Sequence, residues 1–92
     1  MSTDEFRGIS FEDPRRQAEF ERLLGQVTAA ESDRSPIGTR HKQAEQDYDG
    51  GSMSEQDFRA VDDEYIAANN KIADAKRAVD DFLTSNRDYN TH

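Results

Sequence analysis

Phe58, Val61, Tyr65, Ala68, Ile72, Ala75, Val79 and Phe82 recur at alternating spacings of three and four residues. Only an α-helix gathers residues so spaced on one side, and four heptads of them make a continuous apolar seam. The start of this helix is marked by Ser54 as N-cap, with Asp57 at the third helical position as a capping-box variant and Met53 placed to staple onto Phe58. The pattern predicts a helix over residues 54–85. A seam of this length needs a partner surface, and finding one decides the fold.

The partner is predicted to lie upstream. Asp13-Pro14 has the chemistry of a helix start, with a capping carboxylate and a proline whose missing N–H costs nothing in the first turn. Phe20, Leu23, Val27 and Ala30 follow at helical spacing, and Ile37, Ala44 and Tyr48 resume it in phase. Between them stand Ser35-Pro36 and Gly38, so the spacing predicts a helix over 14–34 and another over 36–48, one arm kinked or broken near Pro36. Asp49-Gly50-Gly51-Ser52 is the clearest reversal in the chain, and a turn is expected over 49–53.

Folding antiparallel about Gly51 pairs positions whose numbers sum to 102. Phe20 then meets Phe82, Leu23 meets Val79, Val27 meets Ala75, Ala30 meets Ile72, Ile37 meets Tyr65, and Ala44 meets Phe58. Large residues mostly face small ones, as close helix packing requires. Asp33 comes opposite Lys71 and Arg40 opposite Glu64, pairs that set register more than stability. Two seam positions are poor core residues: Arg34 opposite Ala68, expected to carry its charge out to solvent, and His41 opposite Val61, read as a tolerated residue at the core edge.

With 92 residues there is room for one small domain, and with 33% hydrophobic against 35% charged residues it has little apolar surface to spare. A two-helix hairpin closes a single seam and leaves Leu24, Ile66 and Leu83 uncovered. Residues 1–13 are expected to form an extended arm whose Phe6, Ile9 and Phe11 also need somewhere to dock, and residues 86–92 a flexible tail. The arm folding back, two hairpins pairing into a four-helix bundle, or a foreign protein would each supply the missing face. The composition favours self-association, as a homodimer, or a partner protein meeting these six residues.

Residues 45–64 hold eight acids against Arg59 alone, a charge of −7 out of a total of −8. The expected hairpin is about 50 Å long, taking ~1.5 Å per residue over some 34 residues. Its tip therefore concentrates the charge, with Asp47, Asp49, Glu55, Asp57, Asp62 and Asp63 as candidate contacts for a basic surface. Phosphate and anionic lipid repel such a chain, so direct binding to nucleic acid or a membrane is not expected. Asp47, Asp49, Gly50 and Asp57 stand a residue off the spacing of a calcium loop, with Gln56 where a closing glutamate belongs, so no metal is expected.

No cysteine is present, the only histidines are His41 and His92, and no phosphate loop or nucleophile motif occurs. Carboxylates at a wet tip lack the desolvation that tunes an acid or base. No catalytic residue, enzymatic activity or cofactor is expected. Residues 1–5 lack the basic and apolar regions of a signal peptide, which makes a cytoplasmic location the default and secretion without such a peptide the alternative.

The run Gly50-Gly51-Ser52-Met53-Ser54-Glu55, followed by Phe58, Val61, Tyr65 and Ala67, resembles the turn and second helix of the Trp-x-Gly family of small type VII secretion substrates. Tyr48-Asp49-Gly50 occupies the Trp-x-Gly position, and the resemblance implies a secreted helical-hairpin dimer that works by protein contact. Gly51-Ser52-Met53-Ser54-Glu55 with Phe58 is more faintly similar to the coiled-coil finger of Gre transcript-cleavage factors, where Glu55 matches a metal-holding acid and Ser52 replaces an aspartate.

The sequence thus predicts an all-α, coiled-coil-like antiparallel hairpin acting as a non-enzymatic interaction module with a basic or apolar protein partner. The alternatives are an acidic inhibitor imitating nucleic acid in a basic groove, for example phage-encoded, and a type VII secreted hairpin.

Overall fold

The computed structural model describes residues 6–91. The order is β1 (Ile9–Ser10), α1 (Pro14–Asp49), α2 (Glu55–Ser85) and β2 (Asn90–Thr91), with the two long helices packed antiparallel. The chain is an all-α hairpin with one small two-stranded clasp at its base. It measures 57 × 19 × 15 Å.

The helix ends follow from local chemistry. The Asp13 side chain accepts from the Arg15 N–H at 2.9 Å with Pro14 next in line, and Ser54 Oγ accepts from the Asp57 N–H at 3.1 Å. Both caps satisfy a donor that the first turn of a helix leaves unpaired. At the reversal, Ser52 N–H donates to the Asp47 carbonyl at 2.8 Å and Gly51 N–H to the Tyr48 carbonyl at 3.1 Å. This is the paired closure of a Schellman motif, with Gly51 at φ +81° in the position that calls for glycine.

Of the kink or break expected near Pro36, the break does not occur, and α1 runs through it as one helix of 36 residues. Pro36 is exposed, so the carbonyl its missing N–H leaves unpaired lies toward water. Thr39 Oγ1 adds a bond to the Ser35 carbonyl at 3.2 Å beside it. Val27 and Ala30 before the proline and Ala44 after it are buried, and burial on both flanks supports a continuous helix across one lost bond.

The core gathers at the base, where Phe20, Leu23, Val27, Val79 and Leu83 form one cluster with Phe6 and Phe11 of the arm. Leu23 and Val79, paired by the 102 register, sit in that cluster together. The arm folds back over its own helices: Phe6 is 5% and Phe11 7% exposed. Phe11 meets Phe20, Phe82 and Tyr89 edge-on with centroids 5.4–5.8 Å apart, and its N–H donates to Gln17 Oε1 at 2.8 Å.

The tail, expected to be flexible, takes part in the same closure. Ile9 pairs with Thr91 and Ser10 with Asn90, antiparallel, while Arg16 bridges to Asp88. Asn86 ends α2, its N–H and side-chain amide both donating to the Phe82 carbonyl. The arm and tail order each other, which neither segment's composition reveals. Residues 1–5 of the expected arm and His92 of the tail lie outside the described residues.

Candidate functional site

Closure of the base redistributes the residues expected to meet a partner. Phe6, Phe11 and Leu83 are buried in the chain's own core, and Ile9 and Leu24 pack against it. Phe6, Phe11 and Leu83 thus present little surface, while Ile9 and Leu24 stay half-buried. Of the six apolar residues, Ile66 of α2 is the exposed one, at 48%. Tyr48, 39% exposed at the end of α1, is a second large apolar residue open to solvent.

The tip is built by the Schellman turn and the Ser54 cap, which fix where α1 ends and α2 begins and so where each carboxylate projects. Several are already engaged. Asp47 accepts from Gln43 Nε2 at 3.0 Å, Glu55 from Arg59 at 2.9 Å, Glu64 pairs with Arg40, and Asp62 lies 2.9 Å from His41. Asp49, Asp57 and Asp63 are exposed and have no side-chain partner among the described residues. The tip thus has Glu64 and Asp62 reaching across to α1, Asp47 and Glu55 bound within their own helices, and three carboxylates left to solvent.

His41 was legible in sequence only as a histidine on the seam. In the structure its ring stacks on Tyr65 at a centroid distance of 4.3 Å and 19° between planes, with Phe58 5.9 Å away. Nε2 faces Asp62 across the helix interface, and Nδ1 lies 3.3 Å from Glu45 one turn along α1. Phe58 also meets the Tyr48 ring at 4.9 Å. Gly38 lies beside this aromatic stack, where an added Cβ would make ordinary contact with the Tyr65 ring at 3.6 Å. Arg34, expected in solvent, is half-buried and donates to Asn69 Oδ1 at 2.9 Å across the interface.

Two open depressions flank the rod. One, about 230 Å³, lies between the helices over Ala30, Ile37, Ala67 and Ala68, with Asp33, Glu64 and Lys71 at its edge. The other, about 530 Å³, is at the base beside Asp80, Leu83, Thr84, Arg87 and Tyr89. Among the described residues no three His, Asp or Glu side chains are grouped to hold a metal ion. Nor is any helix there long and apolar enough to cross a membrane.

Away from the tip, hydrogen bonds from the Arg22 guanidinium hold the Glu19 carboxyl below the usual glutamate range, and Glu19 in turn raises Arg22. The contribution of that pair is present above the ordinary glutamate value and is lost as pH falls through the lowered one. It belongs to the outer face of α1 and stabilises the helix locally.

Fold and charge layout together define an acidic-tipped antiparallel helical hairpin closed at its base. No family model matches the chain, and neither a curated protein nor a solved structure does.

Proposed function

We propose that the chain is a non-enzymatic protein-interaction module whose acidic tip docks on a basic surface of another protein. One observation carries this reading: a charge of −7 within residues 45–64, at the far end of a 57 Å rod whose opposite end is closed by its own arm and tail. At the base Phe6, Phe11, Phe20 and Leu83 are buried, which favours the tip as the contact. There the unpartnered Asp49, Asp57 and Asp63 supply charge and Tyr48 supplies apolar area. Carboxylates on a narrow rod raise the encounter rate with a cationic cleft and disfavour acidic partners.

The glycine turn also suits a secreted hairpin of the Trp-x-Gly kind. That reading draws on the turn and the start of the second helix, whereas docking through the tip uses both the charge and the closure.

A photoreactive residue at Ser52, compared with one at Thr84, tests the proposal in extracts of the source cells. The tip probe is expected to yield a discrete cross-linked protein that fades as salt rises, and the base probe to yield none. Asp49→Asn/Asp57→Asn/Asp63→Asn should weaken capture about 10- to 100-fold, three rim charges at ~0.5–1 kcal/mol each. Undiminished capture by that variant at every salt overturns the reading. Competition by double-stranded DNA for the captured protein separates a nucleic-acid-binding groove from other basic surfaces.

A further inference from the structure

We propose that the depression midway along the rod is a socket for one large apolar side chain of a helix from another protein, which brings a base to Asp33 and an acid to Lys71. The depression lies between α1 and α2, over the buried Ala30 and Ala68, with the half-buried Ile37 and the exposed Ala67 beside them. Its volume is about 230 Å³. Sites for small molecules run to about 300–1,000 Å³, so this one suits a side chain better than a metabolite. An opening ringed by small residues of neighbouring helices is the kind of hole that a knob from a further helix enters.

The rim says what such a helix carries beside its knob. Arg40 and Glu64 bridge the two helices on the side toward the tip. One heptad toward the base the same register sets Asp33 against Lys71, yet these two form no ion pair. Both are exposed, and neither has a side-chain partner among the described residues. Aspartate is one methylene shorter than glutamate and lysine one atom shorter than arginine, so the reach that closes the first pair is reduced at the second. An apolar hole with an unanswered acid on its α1 rim and an unanswered base on its α2 rim is complementary to a helix bearing the opposite charge on each flank.

A second copy of the chain does not supply this knob. Among the described residues its exposed large apolar side chains are Ile66 and Tyr48. On the helix surface Ile66 is flanked by Asp62, Asp63, Asn69 and Asn70, and Tyr48 by Ala44 and Glu45, so neither brings a base to Asp33. The occupant is therefore foreign. The socket shares no residue with Asp49, Asp57 and Asp63 of the tip, and the inference holds whether or not the tip docks as proposed above.

The probe is a synthetic alanine-based helix of about three heptads with one central leucine, lysine on one flank and glutamate on the other. Titrated into the full chain, it is expected to shift the NMR amide signals of Ala30, Asp33, Ile37, Ala67, Ala68 and Lys71. Replacing its leucine with alanine should weaken binding about tenfold or more, through the lost apolar burial. Asp33→Asn and Lys71→Gln should each weaken it about two- to threefold. Ala67→Trp fills the socket from an exposed position and should abolish binding. Should that variant fail to fold, the leucine-free probe decides the matter on the unaltered chain. Asp49→Asn/Asp57→Asn/Asp63→Asn should bind the probe as the parent does, so failure of the socket and failure of the tip are told apart. Absence of a response centred on the socket, or one undiminished when the probe loses its leucine, overturns the proposal. Concentration-dependent shifts of the same signals without the probe would assign the socket to a second copy and overturn it likewise.

Discussion

Phe11 shows what one side chain of the arm contributes. It is 7% exposed, and its ring makes edge-on contacts with Phe20 of α1, Phe82 of α2 and Tyr89 of the tail, so it joins four segments of the chain at a single point. Aromatic pairs of this geometry add about 0.5–1.5 kcal/mol each beyond burial. Phe11→Ala should therefore cost about 3–5 kcal/mol, and Phe11→Leu clearly less because it refills most of the space. Chemical denaturation of both variants checks this, and a loss below ~1 kcal/mol for Phe11→Ala would mean the arm is not part of the core. The sequence marked Phe11 as apolar and in need of cover but not where cover lay. Three apolar residues without a period carry no register, whereas the seam residues of α2 each name their facing position. His41 was half-legible for a related reason: its place on the seam and Glu45 one turn on could be read, but Asp62 became its partner only through the way the two helices pack.

At the scale of the helices, local chemistry was readable wherever a local rule was the whole cause. Asp13, Ser54 and the Gly50-Gly51 pair cap and turn the chain as their residue types require. At Pro36 the sequence left a kink or a break open, and the helix does not break, because the proline penalty is local while burial of Val27, Ala30 and Ala44 on its two flanks is not. The two kinds of glycine can be separated by experiment. Gly25 lies inside α1 with nothing within 4 Å of an added Cβ, and Gly51 holds φ +81° at the turn. Gly25→Ala should stabilise by about 1 kcal/mol through helix propensity, and Gly51→Ala should destabilise by about 1–2 kcal/mol through its left-handed backbone. Thermal melts of the two variants should move in opposite directions. If Gly51→Ala melts with or above the parent, the turn is not the one described.

Considered whole, the molecule divides its tasks by end. A compact chain of this length has a radius of gyration near 12 Å, and the observed 17.7 Å reflects a rod. Such a shape has too little interior to bury every apolar residue through one seam. The sequence therefore pointed to a second copy or a partner as cover, yet arm and tail provide that cover at the base. The full chain is expected to scatter as a single 10.5 kDa particle with a radius of gyration close to 18 Å, unchanged on tenfold dilution. Phe6→Asp/Phe11→Asp should eject the arm, because two carboxylates cannot remain in a dry cluster without partners. That uncovers Leu24, Phe82 and Leu83 as a contiguous apolar surface, which self-association would then cover. The double variant should accordingly gain mass with concentration where the parent does not. A parent that already scatters as a dimer, or a variant that stays monomeric and fully folded, would show that the arm is not what closes the base.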